Sequence, residues 1–200
     1  MLIFVALNNK TRILAKKSGF FNEFLKERKT VGAVAPSSKF LMKRMFAPID
    51  FDKADVIVEL GPGNGVFTKG LLAEMKPGSR LLSFELSRNF YEHINLNIRD
   101  EKLSLINDSA EKLEQYLALE GIHKVDYVVS SLPLAVIPDV VKNKILDSSV
   151  KVLGKEGKYI QFQYSLNARK LLQSKFKKVS FKFAPVNIPP AFVYQCSNNS

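Results

Sequence analysis

The stretch that most constrains the fold is Val56–Thr68, which reads VIVELGPGNGVFT. A short apolar run, typical of a buried strand, enters a turn that contains Gly61, Gly63 and Gly65, and a helical pattern follows. A strand, a glycine-rich turn and a helix in this order form the opening unit of a nucleotide-binding α/β sheet. The glycine spacing alone leaves open which nucleotide is bound.

The rest of the chain alternates between apolar runs and helical patterns through residues 167–176, and then the alternation changes. Residues 177–183, KKVSFKF, alternate lysines with apolar side chains, as on the edge of a sheet. Residues 191–196, AFVYQC, follow after a loop too short for a crossover helix, so the last two strands are predicted to be antiparallel to each other.

The predicted fold class is therefore α/β. We expect a Rossmann-like, doubly wound sheet of seven strands with the last strand antiparallel, plus N-terminal helices. Residues 1–50 are predicted to form a basic, amphipathic helical segment, and residues 51–200 the cofactor-binding domain.

Charge and cysteine content narrow the function. The 200-residue chain has a net charge of +11, and its lysines and arginines greatly outnumber acids before the glycine turn. This excess predicts a polyanionic partner, either nucleic acid or an anionic membrane surface, with an ordinary solvated basic face as the alternative. The single cysteine, Cys196, excludes an internal disulfide, and no Cys/His cluster suggests a metal, so a cytoplasmic location is expected. No apolar run approaches the ~20 residues of a membrane-spanning helix.

Glu59, just before the glycines, decides between cofactors. In a dinucleotide site the turn holds a pyrophosphate, and a carboxylate about 4–6 Å away would repel it, whereas a cation would be stabilised. S-adenosylmethionine carries an ammonium and a sulfonium but no phosphate, so it is the predicted cofactor.

Two further strand ends carry acids. Glu85 closes the second strand, roughly 20–25 residues beyond the turn, where such folds place the carboxylate that binds the ribose hydroxyls. Asp108, with Ser109, follows the third strand and is predicted to accept from the adenine amino group. The alternative is that Glu85 and Asp108 cap the helices after them. The remaining predicted cofactor contacts flank the turn and these strand ends: Pro62, Leu86 and Ser130.

Four stretches carry a family resemblance: VGAVAPSSKFL (31–41), VELGPGNGVFT (58–68), VVSSLPL (128–134) and NIPPAFVY (187–194). With them the chain, from about residue 20 onward, resembles class I S-adenosylmethionine-dependent methyltransferases. More narrowly, it resembles bacterial phospholipid N-methyltransferases of the Rhodobacter type. The resemblance implies stepwise methylation of the phosphatidylethanolamine amine at the cytoplasmic leaflet, by an enzyme peripherally associated with the membrane. Related members act on other amine lipids, such as ornithine lipids.

Methyl transfer to an amine is an in-line displacement, so the enzyme must position the nitrogen and keep it neutral. A pocket of proline, leucine and tyrosine side chains would desolvate the amine and lower its pKa from ~10. The candidates lie after the fourth and fifth strands and in the last strand: Ser131, Leu132, Pro133, Tyr164 and Tyr194. Tyrosine faces can also hold a methylated cation. The alternative for each tyrosine is core packing.

The region before the glycine turn supplies two predicted helices. Residues 19–29, GFFNEFLKERK, combine an apolar stripe with basic residues and are predicted to lie on an anionic membrane surface, with packing on the sheet as the alternative. Residues 36–46 are predicted to form a second helix, capped by Ser37 or Ser38. The family resemblance places that helix next to the cofactor, which makes Pro36 and Ser37 candidate cofactor contacts.

Ribosomal RNA adenine dimethyltransferases share the basic charge and the cofactor turn, and they are the main alternative. Those enzymes stack a flipped base on an aromatic residue in a turn that typically reads N-L-P-Y or N-I-P-F. Here residues 131–134 read SLPL, without the ring and without the Asn whose carbonyl would accept from the base amine. The sequence also leaves no room after the sheet for a helical RNA-binding domain, so nucleic acid is the less favoured partner. A cofactor-binding protein without catalysis is disfavoured by the intact turn and its acids.

Overall fold

The computed structural model describes residues 36–187 and 189–199. The helices are α1 (Pro36–Phe46), α2 (Val66–Glu74), α3 (Arg88–Asn97), α4 (Leu113–Leu119), α5 (Asp139–Val152) and α6 (Arg169–Lys175). The strands are β1 (Val56–Leu60), β2 (Arg80–Phe84), β3 (Leu103–Ile106), β4 (Val125–Ser130), β5 (Leu153–Gln163), β6 (Lys178–Ala184) and β7 (Ala191–Ser197). Short 3₁₀ turns, Ala110–Lys112 and Leu166–Ala168, lead into α4 and α6.

All seven strands form one sheet in the order β3-β2-β1-β4-β5-β7-β6. The first five are parallel, and β7 runs antiparallel to both of its neighbours, β5 and β6. The predicted fold class, a doubly wound sheet of seven strands with the last one reversed, is confirmed. The lysine-bearing strand β6 lies at the sheet edge, as its alternating pattern predicted.

The sheet buries an apolar cluster on each face. On one face, α1, α2 and α3 contribute side chains such as Met45, Leu71 and Ile94. On the other, α4, α5 and α6 contribute side chains such as Leu113 and Leu146. Full burial of such a side chain stabilises the fold by roughly 1.5–3 kcal/mol, so both layers hold the strand ends in fixed positions.

Three elements have bounds that differ from those that the sequence pattern predicts. The pattern predicts the fifth strand over 157–164, but β5 begins at Leu153, directly after α5, because Gly154 and Gly157 interrupt the β pattern without ending the strand. The pattern also predicts helices over 109–120 and 167–176, and both are shorter, since each begins with a 3₁₀ turn. α1 has its predicted bounds, but it begins at Pro36, a residue suited to the first turn of a helix, so Ser37 and Ser38 lie inside that turn rather than before it.

The predicted amphipathic helix over residues 19–29, and most of the predicted segment 1–50, lie outside the described residues. Within the part of the chain that the structure describes, no helix has the length and apolarity needed to cross a membrane.

Candidate active site

The glycine-rich loop adopts the conformation that its composition predicts. Gly61, Gly63 and Gly65 have φ angles of 74°, 60° and 79°, in the left-handed region that side chains other than glycine rarely adopt. A Cβ atom on Gly61 would lie 2.9 Å from Cδ2 of Leu132, so the loop also needs glycine for its close approach to the turn after β4. The loop is thereby held as a backbone cradle at the carboxyl end of β1.

Glu59 is fully buried at the end of β1. Its Oε2 accepts hydrogen bonds from Thr68 Oγ1 and Ser83 Oγ, each 2.8 Å long. Because side chains alternate along a strand, Glu59 faces the α2 layer, while Leu60 packs into the cluster on the other face. The structure therefore anchors one oxygen of this carboxylate to α2 and β2, directly before the glycine loop.

Glu85, the residue after β2, lies at the rim itself. Its Oε2 accepts from the backbone N–H of Gly63 at 3.0 Å, and its Oε1 accepts from the N–H of Ser87 at 2.8 Å. The second bond satisfies the N–H of Ser87, the residue before α3, and α3 has no side-chain cap hydrogen bond, so Glu85 fixes the chain before the helix without capping it. The first bond fixes the glycine loop against the end of β2, where the predicted ribose contact would form.

A pocket of about 320 Å³ opens beside the loop, at the carboxyl ends of β1, β2, β3 and β4. Apolar side chains of α5 and of the loop before it, such as Ile137 and Val141, close its far wall. The volume is typical of small-molecule sites. Seven predicted site residues line it: Gly61, Glu85, Leu86, Asp108, Ser109, Leu132 and Pro133.

The charge of this pocket tests the cofactor prediction. Among the described residues, its walls include the acids Glu85, Asp108 and Glu111 and no lysine or arginine. Such walls suit a cationic ligand without phosphate, because a pyrophosphate would meet three carboxylates, and the lysines that offset two of them, Lys112 beside Asp108 and Lys144 beside Glu111, are not among the lining residues described. The residues present therefore fit S-adenosylmethionine. The described residues also form no cluster of three or more His, Cys, Asp or Glu side chains that could hold a metal ion.

Asp108 is held in its ionised form by its neighbours. Lys112 Nζ donates to Oδ2 at 2.8 Å, Tyr116 OH donates to the same oxygen at 2.9 Å, and the N–H of Ser109 donates to Oδ1 at 2.7 Å. The hydrogen bond from Lys112, followed by the one from the Ser109 N–H, lowers the pKa of Asp108 below its usual value. The Ser109 hydroxyl caps the 3₁₀ turn before α4. Asp108 therefore presents an ionised carboxylate on the pocket wall, where its predicted contact with an adenine amino group would form.

The turn after β4 is fixed by a ring of hydrogen bonds. The N–H of Leu132 donates to Ser130 Oγ at 3.3 Å, and Tyr159 OH donates to Gln161 Oε1 at 2.7 Å. Burial raises the pKa of Tyr159, and a hydrogen bond with Ser130 opposes that shift. The ring closes on the Leu132 carbonyl, which accepts from Gln161 Nε2 at 3.1 Å and Gln163 Nε2 at 2.8 Å.

A third donor, the N–H of Leu134, reaches the same Leu132 carbonyl at 2.9 Å across Pro133. Since a carbonyl oxygen has two lone pairs, three internal donors saturate it. Sequence reasoning missed Gln161 and Gln163. The signal was available, because two glutamines spaced i, i+2 within the apolar run YIQFQY mark a buried polar pair on one strand face.

The other predicted residues lie apart from the pocket. Ser131 is buried in the turn, and its N–H donates to the Leu60 carbonyl at 2.9 Å. Tyr194 is fully buried in β7, and its hydroxyl donates to the Ser165 carbonyl at 3.4 Å, as the core-packing alternative expects. Tyr164 is exposed just beyond β5, with its ring 5.6 Å from that of Phe162. Five predicted cofactor contacts are also not among the lining residues: Glu59, Pro62, Gly63, Gly65 and Ser130. The side chains of Pro36 and Ser37 lie outside the described set, although their backbone begins α1.

Comparisons with known proteins place this geometry in a family. The model of the family "Ribosomal RNA adenine dimethylase" matches residues 16–180. An ornithine lipid N-methyltransferase from Singulisphaera acidiphila is 28% identical over 179 residues, which cover 88% of this chain and 93% of that protein. Ribosomal RNA small subunit methyltransferase A from Thermotoga neapolitana is 28% identical over 127 residues, 64% of this chain and 44% of that protein. The chain thus spans about half the length of the ribosomal relative.

A solved structure shares the fold. The 1,6-didemethyltoxoflavin-N1-methyltransferase of Burkholderia thailandensis, solved with S-adenosylhomocysteine, superposes with a TM-score of 0.67 at 13% identity, covering 96% of this chain and 90% of that one. The family match spans most of the chain and includes the glycine loop and the acidic pocket. The chain therefore belongs to the ribosomal RNA adenine dimethylase family, and it is an S-adenosylmethionine-dependent N-methyltransferase.

Proposed function

We propose that this methyltransferase acts on the amine of a membrane-lipid head group, such as phosphatidylethanolamine, at a membrane surface. The observation that carries the proposal is the state of Leu134. In the RNA enzymes that the chain resembles, the residue after the turn proline presents a ring on which a flipped base stacks. Here Leu134 is an aliphatic residue, only 1% exposed, in the apolar cluster beneath the turn. A flipped base would find no stacking surface at this position.

The polar groups of the same turn support the proposal. Ser131 stands where the RNA enzymes have Asn, and its side chain is buried. The Leu132 carbonyl is occupied by three internal donors. An adenine amino group needs acceptors for its N–H bonds, and this turn offers none from these two residues. An aliphatic lipid amine, once neutral, needs only that its lone pair face the methyl donor.

The relatives point the same way. The ornithine lipid N-methyltransferase of Singulisphaera acidiphila matches over nearly the whole of both chains. The Thermotoga neapolitana RNA methyltransferase matches over less than half of its own length. A lipid amine as acceptor is consistent with the longer match.

The residues divide the work of the proposed reaction. Gly61, Glu85 and Asp108 would hold S-adenosylmethionine, which supplies a methyl group activated on a sulfonium. Leu132 and Pro133 line the pocket and exclude water, so an amine beside them loses hydration and its pKa falls from the ~10 that it has in water. The fixed turn positions the nitrogen, and positioning supplies much of the rate of such displacements.

Tyr164 is the proposed contact for the head group. It lies exposed just beyond β5, and its ring is supported by Phe162. The face of an aromatic ring attracts a methylated ammonium, so Tyr164 would retain the partly methylated product between steps.

The membrane surface is the proposed partner, on the cytoplasmic face. The basic, amphipathic pattern of residues 19–29 supports this, since such a helix can lie in the interface with its lysines near anionic head groups. Sedimentation with anionic vesicles should fall when salt is raised. Binding that is indifferent to lipid charge would contradict the proposal.

Methylation of RNA adenine is the second candidate. The family match itself favours it, and so does the similarity to the Thermotoga neapolitana enzyme. The high net charge of +11 would suit an RNA as well as a membrane.

One experiment separates the two candidates. Methyl-labelled S-adenosylmethionine is offered to the enzyme with phosphatidylethanolamine vesicles, ornithine lipid vesicles and ribosomal RNA in parallel. We expect label in at least one lipid and none in RNA. Label in RNA alone would overturn the lipid proposal. The Leu134→Phe variant sharpens the test, because restoring a ring at this position should not improve methylation of a lipid.

A further inference from the structure

Exposed apolar side chains gather at one end of the described molecule. Leu166 follows β5, Phe183 ends the exposed part of β6, and Val186 lies in the β6–β7 turn; they are 40%, 47% and 59% exposed. Because β6 runs parallel to β5, these residues lie at the carboxyl edge of the sheet, the edge where the cofactor pocket opens. We define the hairpin surface as Leu166, Arg169, Phe181, Phe183 and Val186.

The aromatic part of this surface is held rigidly. The Phe183 ring lies 5.0 Å from that of Phe192, and the Phe181 ring lies 5.9 Å from Phe192 and 5.8 Å from Tyr194. The Arg169 guanidinium stacks over Phe181, 5.5 Å from its ring centre. A cation and exposed rings are therefore presented together, without the loss of side-chain freedom that mobile groups would suffer on binding.

The charge of this part of the sequence has one sign. Residues 157–200 contain seven lysines and arginines and no aspartate or glutamate. Three of these basic residues, Arg169, Lys170 and Lys182, lie toward the carboxyl edge, at the start of α6 and near the end of β6. The cofactor pocket, by contrast, has acids on its walls and no basic residue among those described. A partner of this end of the molecule must therefore be anionic and must also accept apolar side chains.

We propose that the hairpin surface docks the enzyme onto an anionic lipid bilayer. Rings and aliphatic side chains enter the interfacial region, while arginine and lysine side chains contact lipid phosphates. RNA is the less fitting partner, because Leu166 and Val186 offer aliphatic surface that bases do not need. The docking proposal rests on the proposed function. If the acceptor is a lipid, docking lets its head group reach the pocket while its acyl chains stay in the bilayer.

The surface adds to the predicted helix over 19–29 and is independent of it. Its residues belong to the folded domain, adjacent to the pocket edge, so docking through them would orient the pocket toward the bilayer. The N-terminal prediction concerns attraction to the membrane, whereas the hairpin surface concerns orientation on it.

The test measures vesicle binding of the full chain, without cofactor and without an amine lipid. Vesicles are phosphatidylcholine alone, or phosphatidylcholine mixed with phosphatidylglycerol. The variant Phe181→Ser/Phe183→Ser should lose at least about tenfold in affinity for the mixed vesicles. The matched control Leu96→Ser/Leu119→Ser should bind as the unchanged protein does. Those leucines are 73% and 82% exposed but lie at the ends of α3 and α4, at the opposite edge.

Two further variants test whether the loss of vesicle binding comes from a folding defect and whether charge contributes to it. Val186→Asp changes a turn residue outside the strands and should also weaken binding, so a folding defect in β6 cannot explain both results. Arg169→Gln should weaken binding about fivefold at low salt, and the difference should shrink at high salt, because screening removes the electrostatic contribution.

Three outcomes would overturn the proposal: hairpin variants that bind vesicles like the unchanged protein, a control that loses as much as they do, or variants that lose only binding to a ribosomal RNA fragment. The experiments can reject the proposed function and the proposed docking surface independently of each other. Hairpin-dependent vesicle binding with no methylated lipid would reject the proposed function and keep the docking surface. Methylation of a monomeric short-chain amine lipid, with hairpin-independent binding, would do the reverse.

Discussion

The carboxyl edge of the sheet has two halves that are built differently. In the half formed by β1, β2 and β3, the carboxylates of Glu59 and Glu85 are buried and accept hydrogen bonds from hydroxyls and backbone N–H groups of this chain. In the half formed by β5, β6 and β7, Phe183 and Val186 are exposed and the neighbouring charges are basic.

This difference indicates that one half of the edge determines cofactor binding and the other determines the placement of the acceptor. The first half is preorganised, since Glu59 Oε2 and both carboxylate oxygens of Glu85 already accept hydrogen bonds and the loop is fixed before any ligand arrives. The second half exposes apolar side chains, which our docking proposal places against a membrane. Cofactor binding should therefore tolerate little change, while changes in the second half should alter the choice and placement of the acceptor.

The largest effect should follow removal of the Glu59 carboxylate. Glu59→Ala would leave the buried hydroxyls of Thr68 and Ser83 without their acceptor, so we expect the free energy of unfolding to fall by about 2–4 kcal/mol. The affinity for S-adenosylmethionine, measured by calorimetry, should fall at least tenfold. Glu59→Gln is the control, because it keeps an acceptor oxygen and removes the charge. If Glu59→Gln bound the cofactor normally, the electrostatic argument for this half would fail.

The glycine loop should show the next largest effect. Gly65→Ala would place a Cβ atom 2.7 Å from Cδ1 of Ile98 at a φ of +79°, and we expect a loss of about 2–3 kcal/mol in denaturant unfolding. Gly78 has nearly the same φ, +78°, but nothing within 4 Å of its would-be Cβ atom. Gly78→Ala should therefore cost only about 1 kcal/mol, the strain of the backbone alone. Equal costs would show that the loop is not tightly packed.

A smaller effect should appear between the two halves, at the turn after β4. Gln163→Leu removes one donor from the Leu132 carbonyl and loosens the turn, so kcat should fall about tenfold while KM for the cofactor changes less than about twofold. Gln195→Leu, on β7, is the matched control and should change neither constant. A loss of cofactor affinity in Gln163→Leu would contradict the assignment of cofactor binding to the first half alone.

The smallest effect concerns pH. The hydrogen bonds from Lys112, Ser109 and Tyr116 hold the pKa of Asp108 below its usual value of 3.8. A lowered pKa keeps the carboxylate ionised above that value and loses it only as pH falls through the folded-state pKa. Cofactor affinity measured by calorimetry should therefore stay flat from pH 8 down to about 5. Lys112→Met should move the acidic decline to higher pH, and an unchanged profile would contradict this role.

The predictability of the two halves also differs. Glu85 and Asp108 could be placed from sequence because each ends a recognisable apolar run, and parallel strands bring such ends to one edge. The direction of the Glu59 side chain could not be predicted from the sequence, because both faces of β1 are covered and the apolar pattern of this strand does not alternate. The partner that Gln161 and Gln163 share, the Leu132 carbonyl, lies about thirty positions away in the turn after β4, and sequence gives no register between β4 and β5.

The hairpin surface was missed for a different physical reason. Phe181 and Phe183 alternate with lysines, which predicts one buried and one solvated face of β6. The edge position of β6, with only the short helix α6 near that face, leaves the rings partly uncovered. Tyr194 shows the converse, since it lies opposite Phe181 on the neighbouring inner strand and its ring is fully buried.

The position of β7 has a consequence for biosynthesis. This strand is made after β6 but is inserted between β5 and β6, so β5 has a neighbour on one side only and β6 has none until β7 emerges from the ribosome. Until then, two lengths of backbone are open to pairing with other chains, and one of them carries exposed phenylalanines. A nascent chain stalled before Ala191 should therefore depend on chaperones far more than a finished one does.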